Sequence, residues 1–286
     1  RSWSVAQGLG LPNGLTTPTR VDFNDSTFRS WVRWRHENLA DFIDAVRLAA
    51  QEIDPDFVVI IEIFPLDYMD ATTSGLDGTY RVSSQNLIRV WENDSVSNTR
   101  GMQWATAEDF NNKIAMFKWS RGVDRENPSW SFSYGNESLD AGLTMAAAVA
   151  TGNAPFEAKT PAMTKTVGSE FRTRWFGFIS DYENELLDTP RSARVGIWYS
   201  SPTRDYQDYT IGGEYGIYVT TIPPTADPDW WSNSPDDSAI PKPHLGGWRG
   251  AAHGLTQLNV PYKVIADPGN PANELAGLSL VWLPSV

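Results

Sequence analysis

Two glutamates that close apolar runs are the residues best placed to do chemistry. Glu62 ends Phe57-Val-Val-Ile-Ile-Glu62 and is followed by Ile63 and Phe64; Glu92 ends Leu87-Ile-Arg-Val-Trp91-Glu92 and is followed by Asn93 and Asp94. A carboxylate carried into apolar surroundings is costly unless it is paired or takes up a proton, and a second acid nearby favours the protonated form further. Two such acids, one protonated and one ionised, are the equipment of general acid/base and nucleophilic catalysis. Around them, Trp91 and Asp94 flank Glu92, and Phe64 and Asp67 follow Glu62 into a loop that could line a subsite. A third cluster, Tyr134-Gly-Asn136-Glu137, ends a later strand. Each also has an ordinary reading. Glu92 is then a strand-end acid paired with Arg89 or Arg121, Glu62 a solvated or paired acid, and Asn136 and Glu137 a helix cap.

The elements that must position these residues follow from the hydropathy pattern. Near-continuous apolar runs read as strands covered on both faces, whereas solvated strands alternate. Residues 1 to about 25 lack periodicity and read as an extended covering segment. Asn24, Asp25 or Ser26 then caps a helix whose apolar positions Trp31, Val32, Leu39, Phe42, Ile43, Val46, Ala49, Ala50 and Ile53 lead to a stop at Asp54-Pro55. Strands are expected at Phe57–Phe64, Leu87–Glu92, Trp130–Tyr134 and Ala154–Ala158. Helices are expected at Ala107–Val123, at the alanine-rich Leu139–Ala150 and at Val167–Leu187. Strands alternating with helices imply parallel β/α units, and four of them precede Pro190.

Beyond Pro190 the character changes. New buried strands are read at Arg194–Tyr199, Tyr262–Ala266 and Leu278–Leu283, with a helix at Gly247–Leu258. Ser200 to Pro243 is a long insertion, of the kind that usually carries function. Four strands cannot close a barrel, so the first part reads as half of an eightfold one. On this reading barrel strands one to four precede Arg1, and the second sheet also stops short.

Composition narrows the function. A net charge of −12 argues against nucleic acid, which demands a phosphate-neutralising surface, and against an anionic membrane. No apolar run is long enough to span a bilayer. Without cysteine there is no thiolate catalysis and no cysteine-ligated zinc. The three histidines, His36, His244 and His253, show no metal-ligand spacing. The nucleophile elbow, the P-loop and the dinucleotide fingerprint are all missing. No metal or cofactor and no particular compartment is implied. Thirteen tryptophans stand out; flat aromatic faces stack on sugar rings, though large cores use tryptophan as well.

The runs Val195-Gly-Ile-Trp-Tyr-Ser200, Ser201-Pro-Thr-Arg-Asp-Tyr206, Gly247-Trp248, Pro261-Tyr-Lys-Val-Ile265 and Leu278 to Val286 together resemble the trimerisation domain of family 42 β-galactosidases. The resemblance implies a flavodoxin-like (amidotransferase-like) α/β domain over residues 191–286. It also implies that 1–190 is the second half of a (β/α)8 TIM-like barrel, with the four expected strands as strands five to eight. The implied activity is hydrolysis of a glycosidic bond in a carbohydrate substrate by paired carboxylates, and the implied assembly is a homo-oligomer, a trimer, through 191–286. That family keeps its acid/base on strand four and its nucleophile at the tip of strand seven. Here strand four would precede Arg1, Tyr134 stands about where the nucleophile belongs, and the family's zinc-binding cysteines are missing. Glu92 and Glu62 are therefore the catalytic candidates, with Trp91, Asp94, Tyr134, Asn136, Glu137 and Phe64 as substrate contacts. The other expectation is a sugar-binding or scaffold barrel that has lost its acid pair.

Overall fold

Asp25 starts the first helix: its carboxylate Oδ1 accepts from the Thr27 N–H at 2.8 Å, satisfying a first-turn donor that has no partner within the helix. The computed structural model describes residues 24–63, 87–92, 107–124, 129–132, 138–156, 167–186, 192–200, 203, 243–266 and 271–284. Helix α1 (Ser26–Gln51) runs into Pro55 and then β1 (Val59–Ile63). Arg47, buried in this helix, holds the join. Its guanidinium donates to Asp44 at 3.1 Å and to the Gln51 side chain at 2.7 Å, and Gln51 Nε2 donates to the Phe57 carbonyl at 3.2 Å. After β2 (Leu87–Glu92) come α2 (Ala107–Asp124), β3 (Ser129–Phe132), α3 (Ser138–Thr151) and β4 (Ala154–Pro155).

These four strands form one parallel sheet in chain order, β1-β2-β3-β4. The end of α3 shows how local chemistry sets a boundary. Gly152 takes φ 81°, a conformation that suits glycine, and the Asn153 N–H closes back on the Ala148 carbonyl at 2.9 Å. Asn153 then donates from its side chain to the Phe117 carbonyl at 2.8 Å, tying α3 to α2. The expected single helix Val167–Leu187 is two pieces, α4 (Val167–Asp181) and α5 (Glu183–Leu186), with a turn at Tyr182.

A second parallel sheet follows, from β5 (Val195–Tyr199), α6 (Pro243–Gln257), β6 (Tyr262–Ala266), α7 (Pro271–Leu275) and β7 (Leu280–Trp282), in the order β6-β5-β7. Pro243 opens α6 at the position where a missing N–H costs nothing. Asn259 ends the segment in the left-handed region at φ 52°. The protein is thus mixed α/β, with two small parallel sheets among the described residues. No described helix is long and apolar enough to cross a membrane.

Helix α2 joins the two sheets. Ile114 and Phe117 pack with Ala147 and Ala148 of α3. On its other side Ala115 and Trp119 enter a core with Ile197, Tyr199, Trp248, Ala252, Tyr262 and Val264. Residues on both sides of position 190 therefore share one core. Lys118 anchors the contact: Nζ donates to the Tyr262 carbonyl at 3.0 Å and lies 4.5 Å over the Tyr262 ring. Burial lowers the Lys118 pKa.

The same burial pushes the Tyr262 hydroxyl up to about 12, outweighing the opposing effect of its hydrogen bond with Thr256. An unfolded tyrosine ionises near ~10. Between those values the unfolded chain releases a proton that the folded chain keeps. The contribution to stability is thus fully present below about pH 10 and is lost as pH rises through about 12. An ultraviolet titration of the ten tyrosines is expected to show one late-ionising phenol that disappears in Tyr262→Phe.

Two expected apolar faces are more open than their patterns indicate. In α1, Trp31 is buried and Ile43 packs on the shared core, but Phe42 and Val46 are exposed, as is Ile53 in the turn after it. In β1 the run was expected to be covered on both sides. Val59 and Ile61 do face the core, whereas Val58 and Ile60 are exposed, Ile60 at 49%.

Candidate functional site

Strand register places the two acids. In the first sheet Glu62 is level with Val90, Val90 with Trp130, and Trp130 with Ala154; Glu92, two positions beyond Val90, is level with Phe132. Side chains alternate faces with a period of two, and level residues of parallel strands share a face. Trp130 therefore shares the face of the exposed Ile60. Ile61, Ser129 and Ser131 lie on the face that meets the helices. In the backbone, Glu62 is the next-to-last residue of β1 and Glu92 the last of β2. Trp91 precedes Glu92 in β2, its Cα level with that of Ile63. Phe64, Asp94, Tyr134, Asn136 and Glu137 lie outside the described residues.

Strand β3 reverses the usual polarity. Ser129 and Ser131 are buried under the helices, at 3% and 1% exposure, while Trp130 on the opposite face is only half-buried. Small side chains let α2 and α3 close on the sheet. Trp130 stacks on Phe156 just past β4, with ring centroids 5.5 Å apart and planes 24° off parallel. Neither ring was a sequence candidate. The signal was there in Ser-Trp-Ser-Phe-Ser-Tyr134, where serines and aromatics alternate.

The second sheet has its own point of interest. In the order β6-β5-β7 the chain leaves β5 to opposite sides, and the crevice at the carboxyl ends beside such a reversal is where open α/β sheets bind ligands. Here His244, fully buried at the start of α6, occupies that place. Its Nε2 accepts from the Ser200 N–H at 3.0 Å, and its Nδ1 is 2.9 Å from the Pro284 carbonyl oxygen. Tyr199 lies alongside, with ring centroids 5.5 Å apart, and also meets Trp248 edge-on. Among the described residues no group of three or more histidines, aspartates or glutamates could hold a metal ion.

No protein-family model and no curated protein matches the chain.

Proposed function

We propose that the chain belongs to a glycoside hydrolase of the β-galactosidase type, with residues 1–190 as the second half of a (β/α)8 barrel and 191–286 as a flavodoxin-like, trimer-forming domain. The observation that carries this reading is the first sheet itself, whose neighbouring strands β1 and β2 carry Glu62 and Glu92 at or next to their carboxyl ends, with Trp130 of β3 stacked on Phe156 just past β4. In barrels of parallel strands that edge is where chemistry resides. The chain-order arrangement of β1 to β4 supports a barrel segment, and the β6-β5-β7 order is the one with which flavodoxin-like sheets begin.

With strands about 4.8 Å apart and two residues of offset, the Cα atoms of Glu62 and Glu92 stand on the order of 8 Å from each other. Side chains of that length can set their carboxyl groups about 5 to 10 Å apart, the range that glycosidases use. One carboxylic acid then protonates the leaving oxygen while the other attacks the anomeric carbon or activates water. Trp130 and Phe156 offer a flat apolar platform to a sugar ring.

A second reading, a sugar-binding or scaffold barrel without catalysis, is favoured by where the acids sit. They are on neighbouring strands, counted as five and six, whereas the resembling family uses strands four and seven. Hydrolysis of a panel of nitrophenyl glycosides by the full-length protein separates the two. Glu92→Gln is expected to lower kcat/KM by roughly 100-fold or more, as for loss of an acid/base group, and Glu62→Gln to have a comparable effect. Trp130→Ala is expected to raise KM roughly tenfold, the equivalent of one aromatic contact. Unchanged kcat/KM in both glutamine variants would remove these acids from catalysis. Oligosaccharide binding that is lost in Trp130→Ala, without hydrolysis by the wild type, would establish the second reading.

A further inference from the structure

We infer that His244 is an acid-released clip that holds together the carboxyl ends of β5 and β7 and the first turn of α6. The Ser200 N–H points at Nε2, so that nitrogen is the acceptor; Nδ1 therefore carries the ring proton and donates it to the Pro284 carbonyl. Both ring nitrogens are committed, and the ring has no exposed surface. An imidazolium is a donor at both nitrogens. Protonation would aim an N–H at the Ser200 N–H, so acid must break that bond. The clip joins segments far apart in sequence, since Ser200 lies 44 positions before His244 and Pro284 lies 40 after it. The Ser200 hydroxyl, 2.8 Å from that of Thr203, folds the chain back at the same corner and also accepts the Thr203 N–H at 3.2 Å.

Among the described residues, the printed contacts of the ring are with uncharged groups. From β5 it meets the Tyr199 phenol, whose ordinary pKa is near ~10, and from the end of β7 a main-chain carbonyl. On α6, Trp248 one turn on is neutral. Arg249 and His253, five and nine residues on, lie roughly 140° and 180° around the helix from His244. Arg204 and Asp205, next to Thr203, lie outside the described residues. A histidine in the unfolded chain takes its proton near ~6.5. Where the unfolded state binds a proton that the folded state excludes, stability rises with pH. The clip's contribution is therefore present above about pH 6.5 and is lost as pH falls below it.

Thermal unfolding of the full chain at pH 7.5 and pH 5.0 tests this, comparing wild type with His244→Gln, whose carboxamide keeps one acceptor and one donor but does not titrate. The wild-type Tm is expected to fall by roughly 3 °C or more beyond the fall in the variant; equal falls overturn the inference. A second measurement needs no variant. With nitrogen-15-labelled histidine and backbone, His244 is expected at pH 7.5 to carry its proton on Nδ1, and on acidification to protonate together with loss of the hydrogen-bonded shift of the Ser200 amide. A proton on Nε2 at pH 7.5, or ring protonation that leaves the Ser200 amide unmoved, overturns it.

Discussion

Gly122→Ala is expected to destabilise the protein by about 1–3 kcal/mol, although the same substitution in an open helix stabilises it by about 1 kcal/mol. Gly122 lies in the last turn of α2, where the helix crosses β6. A Cβ at that position would collide with the Val264 carbonyl oxygen, and it would lie 3.1 Å from the carbonyl carbon and 3.3 Å from the Val264 Cβ. The obstacle is the backbone of a strand paired along its length with β5, so it cannot swing aside as a side-chain tip would. Either β6 moves with its ladder or α2 lifts away, and lifting loses the burial of Trp119 and the Lys118 contact with the Tyr262 carbonyl. The strain outweighs the gain in helix propensity. Gly177 in α4 is the control, because a Cβ there meets nothing within 4 Å, and Gly177→Ala is expected to raise stability by up to about 1 kcal/mol. Urea unfolding of both variants checks the pair. Two shifts of the same sign would mean that α2 does not lie against β6.

The elements were legible because each rests on local patterns. The runs that became β1, β2, β5 and β6 are apolar and β-branched, and Pro55, Gly152 and Asn153 punctuate them where the backbone requires it. Parallel pairing follows from strands alternating with helices. What periodicity could not supply was the environment of each face. Phe42 and Val46 fall on a proper helical stripe, yet a stripe says only which residues share a side, and these two are exposed. Likewise Ser-Trp-Ser-Phe separates two faces without saying which one the helices cover. The usual expectation, serine outward and tryptophan inward, is reversed in β3.

The docking of α2 on β6 was the least legible feature. It depends on Lys118 and Tyr262, which are 144 positions apart, and a contact of that span leaves no local mark. Gly122 reads as an ordinary helix-end glycine, and Lys118 as a surface lysine, until β6 is placed beside them. For the site, the two acid-tipped runs gave the candidates Glu62 and Glu92. Only the pairing could show that their strands are neighbours, with Glu62 level with Val90 and Glu92 two positions beyond it.

Trp119→Ala is expected to cost about 3–5 kcal/mol, as for other buried large aromatics. Trp119 is 2% exposed and is among the largest fully buried side chains. It projects from α2 into the core of the second sheet, with its ring 5.4 Å from that of Tyr199 at 66°, an edge-on contact. Tyr199 in turn meets Trp248 edge-on at 5.6 Å. Removing the indole leaves a void walled by a strand, a helix and two rings, and such walls collapse poorly. Domains are commonly stable by only about 5–15 kcal/mol, so the loss takes a large share of what holds the fold. Phe117→Ala removes a fully buried ring from the opposite side of the same helix, where it packs on α3, and the cost should be similar. The two differ in what they are coupled to. In a double-mutant cycle with Tyr199→Leu, Trp119→Ala is expected to show a coupling of about 0.5–1.5 kcal/mol, the range for aromatic pairs. Phe117→Ala, which shares no partner with Tyr199, should add within about 0.5 kcal/mol. Equal coupling for both would mean that α2 transmits strain as a unit; coupling for neither would mean that the two sheets do not share a core through Trp119.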